Sequence, residues 1–396
     1  MKNTTTTGSS PTTTTSMDTA LCKDIEHRIK AVIRYSLKRT AEEGEKYAKE
    51  MEKEKSIKMP KTNESKSYSF KDFRPLDFGI LRKLCGMNDR DYFASIGHSK
   101  FEWHEMNGKS GSMFALTEDR KLMIKTISKD ESKTIRNIIV PQLLEYMKNE
   151  PNTFIVPIFG LHKFSLDNKS ELRFVVMKYL FQPPHSSLPS TLLSTSSPST
   201  SSSATSPNSP SLGSNNGGSS GGWNAPLGSV GMEMDKIYDL KGSTTDRTAK
   251  EGETILKDVD LINDNIKFNV GQDLVTELLF QFKKDVNFLT SCEVMDYSLV
   301  VGITHPKDTA MDMALQNCIK YNREEKLRDK FHVMVNTQNK QEYYFLGIVD
   351  YFTKYGLMKK AAKNIKSMKN DPSTISTVPP SSYSDRFMQF VFKIFV

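Results

Sequence analysis

Apolar positions along this chain switch between two periods. Ile25, Ile29, Val32, Ile33 and Leu37 recur at helical spacing, ringed by Arg28, Lys30, Arg34, Lys38 and Arg39, so a helix is expected over 24–39. Two uses fit it: packing on the main domain, or lying on a membrane surface with its basic side outward. The charge-rich run 41–55 reads as a solvated helix. Residues 70–86 read as a helix ended by Gly86. "SMFALTED" and "KLMIKTI" read as two strands turning at Glu118–Asp119–Arg120. "IRNIIVPQLLEYMKN" reads as a helix, "FIVPIFGLHKF" and "LRFVVMKYLF" as strands. Residues 271–292 form a long amphipathic helical pattern, and 342–352 a buried strand. Helices mixed with antiparallel strands predict an α+β fold.

The pattern breaks in three places. Residues 1–17 are rich in Thr and Ser, and about 183–231 are a Ser/Pro/Gly block that cannot bury enough apolar surface to offset its chain entropy. Ordered-looking sequence resumes on both sides of that block, so it reads as a disordered insertion in a surface loop. A third segment, 306–341, is charged and reads as a variable loop. The expected division is therefore an N-terminal tail, 1–67, disordered and then helical, before one domain over 68–396.

Composition narrows the chemistry a little. The 396 residues carry 55 basic and 47 acidic side chains, a net charge of +8. The excess is modest, but five lysines cluster between Lys359 and Lys369, which points locally to an anionic partner. The four cysteines, Cys22, Cys85, Cys292 and Cys318, form no metal-binding or disulfide pattern. No run approaches the ~18 apolar residues of a membrane span, and the first residues lack a signal-peptide core. A cytoplasmic protein with peripheral membrane contact is expected.

Four short stretches carry candidate chemistry. "NGKSGSMF" (107–114) can lay backbone N–H groups over phosphates, and Lys125 on the next strand adds a fixed cation. Taken alone, the stretch reads more simply as an ordinary hairpin turn. Glu131 opens a helix and could pair with Lys125 or be solvated. In "YDLKGSTTDR" (238–247), Asp239 and Lys241 share one face of an extended segment, as a site for anions or as a turn ion pair. Asp296, in "VMDYSLVVGI", falls where a helix has ended and a buried strand begins, and Asp350 ends the strand "LGIVDYF". A buried carboxylate is costly unless used or paired. Nucleotide loop, phosphate lysine, candidate base and candidate metal carboxylate together make the parts list of phosphoryl transfer.

These four motifs, in this order and followed by "KSMKNDPSTISTVPPSSYSDRFMQFVFKIF", resemble the phosphatidylinositol phosphate kinase family over about 68–396. The resemblance implies a two-lobed α+β lipid-kinase fold, distantly similar to protein kinases, with disordered insertions. It implies that Gly108, Ser110, Gly111 and Ser112 cover the phosphates of ATP, and that Lys125 contacts them with Glu131 as its partner. Met177, in "VVMKYLF" (175–181), would line the adenine pocket. Asp239 and Lys241 would act at the reaction centre, Asp296 on the inositol hydroxyl, and Asp350 on Mg²⁺. Arg247, Lys359, Lys360, Ala362 and Lys363 would meet the lipid headgroup.

By the same resemblance, 357–380 is the specificity and membrane loop. Read as a helix, 358–368 separates Met358, Ala361, Ala362 and Ile365 from Lys359, Lys363 and Lys366, which suits an anionic lipid interface. Nucleic acid is not expected, because no aromatic platform accompanies the lysines. The expected partners are anionic phosphoinositides at the cytoplasmic face of the plasma membrane, with homodimerisation open. The expected product is phosphatidylinositol 4,5-bisphosphate, made by a phosphatidylinositol-4-phosphate 5-kinase. Ala362 and the preceding "KKA" resemble instead the 5-phosphate 4-kinase branch, and a non-catalytic phosphoinositide scaffold is the alternative of another class.

Overall fold

The computed structural model describes residues 19–53, 56–63, 65–105, 113–165, 170–182, 232–324, 333–356 and 378–396. The glycine loop 108–112, the block 183–231 and the basic segment 357–377 lie outside these described residues.

In chain order the first half comprises α1 (Thr19–Glu43), α2 (Glu45–Glu52), β1 (Ile57–Met59), β2 (Tyr68–Asp72), α3 (Pro75–Leu84) and α4 (Asp89–Gly97). Then come β3 (Phe101–Glu105), β4 (Met113–Thr117), β5 (Leu122–Thr126), α5 (Lys129–Thr134), a π-helical turn over Ile135–Ile139, α6 (Val140–Asn149), β6 (Ile158–Ser165) and β7 (Glu171–Lys178). Seven strands form one antiparallel sheet in the order β1-β2-β6-β7-β5-β4-β3. The expected turn between β4 and β5 is present, with Arg120 left-handed at φ 54°.

The second half comprises β8 (Lys236–Leu240), β9 (Ile255–Lys257), α7 (Asp258–Asn263), α8 (Gln272–Ser291), β10 (Val294–Met295), β11 (Ser298–Thr304) and α9 (Thr309–Glu324). It closes with β12 (Val333–Val335), β13 (Tyr343–Val349), β14 (Thr353–Lys354) and α10 (Pro380–Ile394). Five strands form a second sheet, β12-β13-β11-β8-β9, in which only β8–β9 is parallel, and β10 pairs with β14.

The α+β class expected from the pattern is the one observed. Two local expectations are corrected. Residues 70–86 are not one helix: β2 precedes α3, and its Lys71 and Asp72 are buried. Asp72 accepts a hydrogen bond from Tyr47 Oη at 3.3 Å and lies 3.0 Å from His162 Nδ1, so polar residues sit inside where no apolar pattern marks a strand. The segment 306–341 contains α9, which buries Ala314, Leu315, Cys318 and Ile319. Of the two uses left open for 24–39, packing on the main domain is the one observed. Ile25, Ile29, Val32 and Ile33 of α1 are at most 1% exposed and pack with Phe70, Phe159 and Phe164 of the first sheet. The apolar stripe of α1 is therefore spent on the protein interior, not on a membrane.

The two sheets share one hydrophobic cluster. The segment between α6 and β6 joins them: Val156 N–H donates to Ile348 O at 3.0 Å and Ile348 N–H to Phe154 O at 2.7 Å. Beneath it the fully buried Asp285 of α8 accepts from Tyr146 Oη (2.6 Å), Thr153 Oγ1 (2.7 Å) and Phe154 N (2.7 Å). After β7 the chain crosses over the second sheet, burying Leu180 and Phe181. Gly302 makes room for that crossing, since a Cβ there would lie 2.5 Å from the Phe181 ring.

Candidate active site

The site is built on a break between two ladders. β11 pairs with β13 as far as Ser298↔Val349, and β10 pairs with β14 from Met295↔Thr353. Between these ladders one strand contributes Asp296–Tyr297 and the other Asp350–Tyr351–Phe352. Asp296 and Asp350 both adopt left-handed backbone conformations, at φ 67° and 61°. Such conformations cost about 1–3 kcal/mol for a non-glycine residue and persist only where the surroundings hold them, often at functional sites. Here the surroundings are aromatic and buried. Tyr297 is fully buried and its carbonyl accepts a bond from Tyr383 of α10, while Tyr351 donates to Val156 O at 2.7 Å.

Each aspartate meets a lysine. Lys241 follows β8, whose Leu240 pairs with Leu299, so it emerges at the same end of the sheet. Its Nζ donates to both the carbonyl and Oδ1 of Asp296, each at 2.9 Å. Burial works against the Lys241 ammonium, but the Asp296 and Asp239 carboxylates outweigh it and hold its pKa above the usual lysine value. Asp350 forms an ion pair with Lys125, which reaches across from β5 of the first sheet. The four residues that sequence reasoning assigned to one reaction therefore gather at one end of the second sheet.

Asp239 lies beside them but is held differently. Burial would raise its pKa, and the Lys241 and Arg247 charges outweigh that and depress it. Arg247 donates to Asp239 Oδ1 at 3.0 Å and to Asp258 Oδ2 at 2.7 Å. This corrects its reading as a headgroup ligand: the side chain is 11% exposed and bridges two carboxylates beneath the loop. Asp258 was not singled out in the sequence. It is completely buried and accepts from the backbone N–H groups of Lys241 (2.9 Å), Gly242 (2.6 Å) and Ser243 (3.2 Å). The whole turn that carries Lys241 hangs on that carboxylate. Gly242 completes the turn at φ 66°, with α10 so close that a Cβ would lie 3.1 Å from Arg386 O.

Glu131 is a second correction. It does not pair with Lys125 but closes a capping box at the start of α5, accepting from Ser128 N at 2.7 Å while Ser128 Oγ accepts from Glu131 N at 3.2 Å. The first-turn position that suggested an ion pair is also the N3 position of a capped helix, and the cap won. Met177 is 2% exposed and pairs with Met123, on the sheet face that also carries Lys125. Gly108, Ser110, Gly111, Ser112, Lys359, Lys360, Ala362 and Lys363 lie outside the described residues.

Among the described residues no group of three or more acidic, histidine or cysteine side chains could cage a metal. That donor set still fits Mg²⁺ carried by a nucleotide, which takes one or two protein carboxylates and completes its shell with phosphates and water. Asp350 could supply one such carboxylate once released from Lys125. No described helix is long and apolar enough to cross a membrane.

A family model described as phosphatidylinositol-4-phosphate 5-kinase matches residues 96–189 and 227–394. The gap in the match falls on the low-complexity block. A phosphatidylinositol 4-phosphate 5-kinase of Arabidopsis thaliana is 28% identical over 84% of this chain and 47% of its own length. A probable phosphatidylinositol phosphate kinase of Dictyostelium discoideum is 26% identical over 84% of this chain and 48% of its own. Mouse phosphatidylinositol 5-phosphate 4-kinase type-2 beta is 26% identical over 84% of this chain and 79% of its own. The chain spans about half the length of the first two. With the family model matching more than half of its residues, and with the motifs of that family meeting at the break between two ladders, the chain belongs to the phosphatidylinositol phosphate kinase family.

Proposed function

We propose that the chain transfers the γ-phosphate of ATP to a phosphatidylinositol monophosphate at a membrane surface, acting as a phosphatidylinositol-4-phosphate 5-kinase. The observation that carries this reading is the pair of left-handed aspartates at one ladder break, each against a lysine. The two main sheets correspond to the two lobes of a kinase, and Lys125 and Asp350 face each other across them. Lys125 binds the nucleotide phosphates, which replace Asp350 as its partner. Asp350 is then free to hold Mg²⁺, whose charge supports the phosphoryl group in flight. Asp296 accepts the proton of the inositol hydroxyl, or orients it. Lys241 fixes the Asp296 carboxylate and keeps it ionised by its own positive charge. The segment 357–377 supplies the lysines that hold the headgroup and the anionic surface.

One residue favours a second reading, the 5-phosphate 4-kinase: Ala362 resembles that branch, and relatives of both names match at similar identity. Transfer of labelled phosphate to vesicles carrying either monophosphate separates the two. Labelling of the 4-phosphate lipid alone supports the 5-kinase, labelling of the 5-phosphate lipid alone supports the 4-kinase, and binding without labelling of either identifies a scaffold.

A further inference from the structure

A second concentration of charge lies outside the catalytic residues. A cavity of about 310 Å³ opens between α5 with its π-helical continuation and the strands β2, β6 and β7. Its walls carry six cations, Lys71, Lys129, Lys133, Arg136, Lys163 and Arg173, and one carboxylate, Glu171. Phe73 forms its apolar floor, with Lys71 Nζ 5.5 Å and the Arg136 guanidinium 5.2 Å from the ring centroid. Lys71 is only 5% exposed, so this is a recess with an embedded charge and not a spray of surface lysines. Glu171 serves two of the cations at once, pairing with Lys163 at 2.6 Å and with Arg173. The Lys163 hydrogen bond leads the effects that hold the Glu171 pKa below its usual value. Lys133 also meets the exposed Asp130 at 3.4 Å, and the lining cations still outnumber these two carboxylates, a positive excess in a concave site that concentrates anions.

We propose that this cavity binds a compact anion bearing several phosphomonoester groups, either free in solution or displayed as a lipid headgroup. Arg and Lys in convergent arrangement suit phosphate oxygens, with the planar guanidinium groups contributing paired donors. Glu171 acts as the resident anion that a ligand displaces. Because α5 begins four residues after Lys125, its occupant rests on the helix that directly follows the strand bearing that lysine.

The test measures binding to the full chain at physiological salt, with the nucleotide site filled by a non-hydrolysable ATP analogue. Inositol hexakisphosphate is the free probe. Phosphatidylcholine vesicles doped with a phosphomonoester lipid are the membrane probe. Lys129 and Lys133 are exposed, so K129E/K133E folds and is expected to weaken binding of at least one probe tenfold or more. E171Q, which removes the internal competitor, is expected to tighten it severalfold. K38E/K46E carries the same change in net charge on exposed sites elsewhere and is expected to bind as the parent does. A loss confined to the free probe identifies a soluble ligand, and a loss confined to vesicles a headgroup. Saturable binding by neither probe, or equal weakening by the two double variants, overturns the proposal.

Discussion

Asp350 and Asp296 stood out in the sequence because each ends or begins an apolar run, where a carboxylate has no reason to be unless it is used or paired. Their left-handed backbone could not be read there, since it arises from two ladders meeting out of step. Asp258 left no signal either: its partners are three amides some fifteen residues upstream, brought near only by the fold. Arg247 was visible as a cation near an anion site, but not the two carboxylates that occupy it. Arg247→Met should therefore cost stability, about 3–5 kcal/mol, because it breaks a buried ion pair and leaves the Asp258 carboxylate its amide hydrogen bonds but no countercharge. Urea unfolding checks this, and a loss under about 1 kcal/mol would return Arg247 to the role of a surface ligand.

At the scale of elements, long periodic segments were legible. The helix expected over 271–292 is α8, Gln272–Ser291, and the strand pair around Arg120 is β4–β5. Short or polar-rich elements were not: β2 buries a lysine and an aspartate whose partners come from elsewhere in the fold, and α9 hid its apolar face among charges. The joint between the sheets was equally hidden, because Asp285 looks like any helical aspartate. Burial, only partly offset by its hydrogen bonds, raises its pKa to about 6. In the unfolded chain it titrates near 3.9, so the folded state holds an extra proton between about pH 4 and pH 6. Its contribution to stability therefore falls as pH rises through that window, by up to about 3 kcal/mol, and is level above it. The stability difference between the parent and Asp285→Asn, followed by urea unfolding from pH 4 to pH 7, should shift in that direction. A difference independent of pH would show that Asp285 titrates normally.

For the molecule as a whole, the family was legible because its motifs are local strings, whereas their convergence is a property of topology. The low-complexity block separates β7 from β8 in sequence, yet the family match breaks only over its middle, from 190 to 226. Removing residues 186–229 should thus leave the unfolding transition and the lipid-directed activity within about twofold of the parent, as expected of a tolerated loop. Aggregation or loss of most activity in that deletion would make the block part of the folded structure.

The central claim is that two aspartates held at one ladder break perform phosphoryl transfer to a phosphoinositide. Its most direct test is the transfer of labelled γ-phosphate from ATP to vesicles carrying phosphatidylinositol monophosphate, by the parent chain, Asp296→Asn and Asp350→Asn. Asparagine tolerates the left-handed backbone and matches aspartate in size, so both variants should fold, with a cooperative unfolding transition that confirms it. The account predicts labelled bisphosphate lipid with the parent and at least a hundredfold less with either variant, a loss of about 2.7 kcal/mol or more in barrier lowering. Undiminished transfer by either folded variant, or no transfer by the parent to either monophosphate, would contradict it.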